Sequence, residues 1–184
     1  MMDLFPIPLL KEKLELPCSK IAKEILAARS QNTNYTSYFD EDSFPIESFP
    51  VIAQAIMKHG NQFFSSISDR NIEFDTDDIH IWWNVYREGD HHCFHDHARA
   101  LLSGTIYINA DETSAPFDIE SPLDGLIRSW AGSDLTGRYN QSLQFNVEAN
   151  TIYIWPSWLK HSVPTQSETD NPRITISFNL DKRK

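Results

Sequence analysis

The stretch Asn84-Val-Tyr86-Arg-Glu-Gly89-Asp90-His-His-Cys-Phe-His95-Asp-His97 carries two imidazoles two residues apart. In an extended strand side chains alternate between faces, so His95 and His97 point one way and Asp96 the other. At that spacing two ring nitrogens can meet one metal ion. A third imidazole follows far downstream, His161 in Pro156-Ser-Trp-Leu-Lys-His161-Ser-Val-Pro164, and Arg173 opens Arg173-Ile-Thr-Ile-Ser-Phe-Asn179. Ligands from one strand end and from a distant strand meet across the mouth of a β-barrel, so this stretch predicts a mainly β fold.

Working outward, the chain changes texture near residue 79. Ile79–Tyr86, Ser103–Asn109, Leu143–Val147, Thr151–Trp155 and Arg173–Asn179 are rich in β-branched and aromatic residues and are separated by turn signals. Before them the pattern is helical. Ser19 is placed to cap a helix from about Lys20 to Arg29, and a second is expected from about Pro50 to Ser66, with Gly60 as a point of interruption or ending. Residues 31–47, rich in Asn, Ser, Thr and Asp, read as a long loop. Helices first and then many antiparallel-looking strands predict a double-stranded β-helix (jelly roll) with the N-terminal helices packed on one face. The expected organisation is one domain over 1–184, with a helical preface at 1–78 and a jelly-roll catalytic core at 79–184. The stretch Ser121–Asn140 has three glycines and no clean period; it reads as a lid, with Arg128 and Trp130 near its centre.

Composition removes several function classes. A net charge of −10, from 16 basic and 26 acidic residues, has the wrong sign for a protein whose main partner is a nucleic-acid backbone. No apolar run approaches the roughly 20 residues of a membrane span. Cys18 and Cys93 are the only cysteines, too few for a disulfide framework, and no secretory signal is visible, so the expected location is cytoplasmic.

Among the seven histidines, His59 and His80 read as core residues, and His91 and His92 as surface residues or neighbours of the ligands. His95, His97 and His161 form the candidate metal set. An open iron site needs about three protein ligands, with the remaining positions left for small molecules. The common set is two imidazoles and a carboxylate, but position 97 holds His where the carboxylate normally stands. A set using Asp96 is the alternative, and it requires the strand to bulge. Arg173 suits a partly buried carboxylate because guanidinium grips both oxygens, and Thr175 lies on its face of the strand. Trp82, Trp83, Trp130, Trp155 and Trp158 read as packing or barrel-mouth residues rather than a base-stacking platform.

These motifs together resemble the 2-oxoglutarate/Fe(II) dioxygenase superfamily. More narrowly they are similar to a family of small oxygenases of bacteria and phages, in which an Asn-x-x-x-x-Gly-Asp lead precedes His-x-His and Ser-Gly-x-Tyr-Tyr. Pro-Ser-Trp-Leu-x-His-x-Val and Arg-Ile-Ser-Ile-Ser-Phe-Asn follow later in that family. Here these stretches are Asn84–Asp90, His95–His97, Ser103–Tyr107, Pro156–Val163 and Arg173–Asn179. The lead also resembles that of AlkB-type demethylases, whose Asn and Tyr contact 2-oxoglutarate. The resemblance implies that His95 and His161 are iron ligands and Arg173 the binder of the distal 2-oxoglutarate carboxylate. It also implies Asn84 and Tyr86 as co-substrate contacts, and it puts His97 at the superfamily's carboxylate position.

The implied activity is hydroxylation of an unactivated C–H bond, with Fe(II), 2-oxoglutarate and dioxygen. The expected substrate is a peptide, a protein or a small molecule. Two other readings stay open on the residues alone. A three-His cupin-type dioxygenase would need no 2-oxoglutarate, and a non-enzymatic metal-binding barrel would bind metal without consuming oxygen.

Overall fold

The computed structural model describes residues 6–29, 35–38, 49–97, 99–131 and 141–182. Among them β1 is Leu10–Lys13, α1 Cys18–Arg29, α2 Pro50–Ile67, β2 Ile79–Tyr86, β3 His92–His95, β4 Leu102–Asn109 and β5 Phe117–Glu120. Then come α3 Asp124–Ala131, β6 Ser142–Phe145, β7 Thr151–Pro156, β8 His161–Val163 and β9 Arg173–Leu180. The strands form a five-stranded sheet in the order β1-β7-β4-β9-β2 and a four-stranded sheet in the order β3-β8-β5-β6. The named pairs are all antiparallel. This is the double-stranded β-helix.

Period-two alternation explains what each face does. Ile81, Trp83 and Val85 of β2, Ile106 and Ile108 of β4, Ile152 and Ile154 of β7, and Ile174, Ile176 and Phe178 of β9 belong to one buried cluster. Ile21 and Ile25 of α1 and Ile52, Ile56, Phe63 and Phe64 of α2 join it. The helices therefore cover one face of the large sheet, and each such side chain contributes roughly 1.5–3 kcal/mol by leaving water. The intervening residues, among them Asn84, Tyr86, Tyr107, Arg173 and Thr175, line a cleft. A second cluster holds Tyr107, Phe117, Ile119, Tyr153, Trp155 and Leu159.

Several local expectations shift. α1 begins at Cys18, before the predicted Lys20, because the Pro17 carbonyl already accepts from the Lys20 and Ile21 amides. α2 runs straight through Gly60, where an added Cβ would come 2.5 Å from Leu180 Cδ1; the glycine serves close packing of helix on sheet. The segment read as a helical preface also supplies β1, an edge strand on β7 whose sequence Leu-Lys-Glu-Lys carries no apolar alternation. From the long loop, Thr36 bridges to Asn84 on the free edge of β2; most of that loop lies outside the described residues. Short β5 and β8 were not foreseen: four and three residues are too few to display a period. Ser121–Asn140 contains α3 where an irregular lid was expected. The Ser121 amide donates to the Gln141 carbonyl at 2.7 Å, closing the stretch at its base. The side chains of Arg128 and Trp130, and residues 132–140, lie outside what is described, so the lid expectation finds no support or contradiction in them.

Gly104 and Gly60 differ in a testable way. A Cβ on Gly104 would sit 2.2 Å from Cζ of the Phe178 ring, and overpacking of this kind costs about 1–3 kcal/mol. At Gly60 the obstacle is a movable leucine methyl, and replacing a helical glycine gains up to about 1 kcal/mol. Gly104→Ala should lower the melting temperature clearly and Gly60→Ala should leave it nearly unchanged, read by thermal unfolding of both variants beside wild type.

Candidate metal centre and anion pocket

β3 and β8 are neighbours in the small sheet, and their register sets His95 directly opposite His161. A strand contact thus joins two imidazoles 66 positions apart in sequence, with ring centroids at 4.2 Å. β3 ends at His95, so His97 lies beyond the strand rather than on its continuing face. Its backbone is fixed instead by the Ser157 carbonyl, which accepts from the His97 amide at 3.0 Å, and by a turn in which Ala100 N–H donates to the His97 carbonyl at 2.9 Å. The ring nevertheless arrives 5.0 Å from His95 and 5.3 Å from His161. One ligand nitrogen from each of the three lies within 4.8 Å of the others. Asp96 is exposed and is not part of this group.

Two of the rings are held in one tautomer. Nδ1 of His95 is 2.9 Å from the Cys93 carbonyl and Nδ1 of His161 is 3.0 Å from the Leu159 carbonyl. A carbonyl only accepts, so Nδ1 carries the proton and Nε2 keeps a lone pair for a metal. Burial and then the His95 imidazole push His97 down to about 4. Burial likewise lowers His161 well below its usual range and lowers His95. The three are therefore neutral at physiological pH, the state in which imidazole ligates.

The same cleft holds a buried polar group around Arg173. Arg173 is 2% exposed, sits opposite Tyr86 in the β2–β9 register, and has its guanidinium 4.8 Å from the Tyr86 ring centre and 5.0 Å from that of Tyr107. One terminal nitrogen donates to the Tyr107 hydroxyl at 3.1 Å. Nε has no partner, and none of the ion pairs among the described residues includes Arg173. A buried cation without a counter-charge is costly unless an anion arrives. Thr175 faces Asn84 on β2 and Tyr107 on β4. Asn84 Nδ2 donates to the Thr175 hydroxyl at 3.1 Å and to that of Ser177 at 3.0 Å. With its oxygen already accepting, the Thr175 hydroxyl still has a proton to offer. Burial pushes the Tyr107 phenol up to about 12 and raises that of Tyr86 as well, so both remain proton donors.

The seven residues singled out from sequence (Asn84, Tyr86, His95, His97, His161, Arg173 and Thr175) all line one cleft. The orphaned guanidinium and three neutral imidazoles fit a divalent metal with a dicarboxylate co-substrate. Tyr107 was not singled out as a site residue. Its register opposite Thr175 puts it on the cleft face, and a pairing of β4 with β9 made from sequence would have exposed it. His92 also lines the cleft, stacked on His95 at 4.0 Å and 11°.

A family profile described as "Putative 2OG-Fe(II) oxygenase" matches residues 80–179, more than half of the chain. No curated protein matches. Among solved structures, a Pseudomonas putida prolyl-4-hydroxylase is similar at 12% identity and a TM-score of 0.64, over 97% of this chain and 89% of that one. HygX from Streptomyces hygroscopicus, solved with nickel and 2-oxoglutarate bound, is similar at 9% identity and a TM-score of 0.54, over 94% and 81%. A Trichoplax adhaerens prolyl hydroxylase in complex with a hypoxia inducible factor peptide fragment is similar at 10% identity and a TM-score of 0.58, over 94% and 83%. At these identities the likeness to solved structures concerns the fold.

Acid should act on this centre in a defined direction. His92 and His97 are held near 4 against an ordinary 6.5, so between those values the unfolded chain takes up protons that the folded protein refuses. Stability of the metal-free protein should therefore fall as pH drops from about 6.5 toward 4. Melting temperatures measured across that window should show the decline, with a shallower slope in His92→Phe, which removes one depressed group. An unchanged slope in that variant would mean that other groups govern the acid response.

Proposed function

We propose a residue-level mechanism and a substrate class from one premise: the chain belongs to the 2OG-Fe(II) oxygenase family and is a 2-oxoglutarate- and Fe(II)-dependent dioxygenase. In this reading His95, His97 and His161 hold Fe(II) through the nitrogens that meet in the cleft. Fe(II) held there would let dioxygen oxidise both partners, one oxygen atom going to the substrate C–H bond as C–OH and the other into the succinate formed as 2-oxoglutarate loses carbon dioxide. Every other task falls to the protein.

Arg173 takes the distal carboxylate of 2-oxoglutarate, with Tyr107 holding one end of its guanidinium and Thr175 adding a hydroxyl. Tyr86 lies against the flat of the same guanidinium, and Asn84 fixes the Thr175 oxygen so that its proton points to the co-substrate. Trp82, Phe117 and Trp155 line the cleft beside the imidazoles and exclude water from the oxidising centre. The single observation that carries the reading is Arg173: a fully buried cation with an unpartnered Nε, in the same cleft as the His triad.

The substrate class proposed is a peptide, a protein side chain or a small molecule bearing an unactivated C–H bond. The fold shared with prolyl hydroxylases supports the first two, and the net charge of −10 disfavours nucleic acid. No described helix is long and apolar enough to cross a membrane. Cytoplasmic residence is part of the proposal, supported by Cys18 and Cys93 both being free thiols.

Two sets of variants test the assignment. Removing one partner of a shielded charge pair costs on the order of 2–5 kcal/mol. Arg173→Ala should accordingly raise the 2-oxoglutarate concentration needed for half-maximal turnover at least tenfold with iron content intact, and Arg173→Lys should recover only part of the loss. His97→Ala should lose stoichiometric iron while Asp96→Ala keeps it, measured by metal analysis of folded protein. Iron retained in His97→Ala and lost in Asp96→Ala would move the ligand assignment to Asp96.

A further inference from the structure

No described residue of the cleft lining carries a carboxylate: none of them is Asp or Glu, although the chain carries 26 such residues. The nearby acids face elsewhere. Asp96 is exposed while His95 and His97 on either side of it line the cleft. Asp118 alternates with Phe117 and Ile119, both in the inner aromatic cluster, so its side chain projects from the other face of β5. In an acidic protein the described lining of this cleft is free of negative charge.

The charge balance there is simple. Fe(II) brings two positive charges and Arg173 one, while the three neutral imidazoles bring none. The two carboxylates of 2-oxoglutarate return two negative charges, and one positive charge is left over. A carboxylate at position 97 would have cancelled it; His97 does not. A donor for a further anion is also present. His92 lines the cleft, is stacked face to face on His95, and makes no hydrogen bond among the described residues. A neutral imidazole always carries one N–H.

We propose that the cleft takes a second anion beside 2-oxoglutarate, a carboxylate carried by the substrate that is oxidised, with His92 as one of its donors. This rests on the assignment of His95, His97 and His161 to the metal and of Arg173 to 2-oxoglutarate. His92 is then a specificity residue, and His97 serves two purposes, ligating the metal and leaving one positive charge of the site uncancelled for the substrate. The substrate class narrows to carboxylate-bearing small molecules or peptides presenting an acidic group next to the oxidised carbon.

Full-length protein loaded with Ni(II) is first titrated calorimetrically with 2-oxoglutarate; absence of binding would overturn the assignment of the site itself, and the proposal with it. The saturated complex is then titrated with formate, formamide and chloride. Formate is expected to bind once per metal, at least tenfold tighter than neutral formamide and tighter than chloride, with 2-oxoglutarate still bound. A unit charge at close range in a partly shielded site changes affinity by at least that factor. His97→Asp should weaken formate at least tenfold while keeping metal. His92→Phe retains the ring stack and loses the N–H, and should weaken formate several-fold with metal content unchanged. Equal binding of formate and formamide by wild type, displacement of 2-oxoglutarate by formate, or undiminished formate affinity in metal-loaded His97→Asp would each overturn the second-anion site. Chloride binding tighter than formate would overturn its assignment to a carboxylate.

Discussion

The site depends on the antiparallel register that locks β2 and β4 onto the two edges of β9. Ile79 pairs with Leu180 and Tyr86 with Arg173 along the whole of β2, and Tyr107 stands opposite Thr175 on the other side. A slip of one residue would turn every side chain over. Arg173, Thr175 and Asn84 would then enter the isoleucine-rich layer under the helices, and Ile174 and Ile176 would face the cleft. The apolar half of each strand is buried by α1 and α2, so hydrophobic burial selects the register, and the register in turn delivers the polar half to the site. Stability and chemistry are two faces of one sheet.

That arrangement accounts for how a guanidinium can be nearly fully buried without a carboxylate of its own. Burying an unpaired charge is among the costliest acts in folding. Arg173 is partly compensated by the π faces of Tyr86 and Tyr107 and by one hydroxyl. The residual cost remains in the folded protein. In the proposed function a carboxylate relieves it, and binding is strengthened because the cation is already desolvated and oriented, so those losses precede association.

How much of this was legible in the sequence differs by element. The strands that cross the large sheet were readable because they are long and strictly alternating: Ile79–Tyr86 was expected with its observed bounds, and Arg173–Leu180 differed by one residue. Their polar positions therefore led to Asn84, Tyr86, Arg173 and Thr175, which line one cleft. The small sheet was readable only in part: β6 was expected as Leu143–Val147 and is observed as Ser142–Phe145, whereas β5 and β8 have four and three residues, and pairing, rather than local propensity, makes them strands. The juxtaposition of His95 with His161 is a property of that pairing. Tyr107 was missed for a related reason. Its importance comes from the neighbour strand's Arg173, and nothing in its own surroundings distinguishes it from Tyr153, another buried tyrosine of the same sheet.

The placement of His97 shows how an expectation can bring a residue to the cleft by an incomplete route. The i, i+2 spacing was read as two side chains on one face of a strand, yet β3 stops at His95. The bonds that bring His97 back are made outside the strand, by the Ser157 carbonyl at the end of β7 and by the turn to Ala100. Ser157 in turn accepts nothing from β3 itself: its amide donates to Leu101 and its hydroxyl to the Ala100 carbonyl. The segment 97–101 is thereby sewn to the end of β7, a few residues before His161. Both edges of the triad are consequently tied to the same stretch of chain, Pro156–His161, so the spacing of His97 and His161 is fixed by short covalent and hydrogen-bonded paths. His95 is fixed to His161 separately, by strand register. A centre braced in this way can keep three imidazoles close together even when all are neutral and no ion is present to draw them in, because backbone bonds bear the positioning and the ligand atoms are left free.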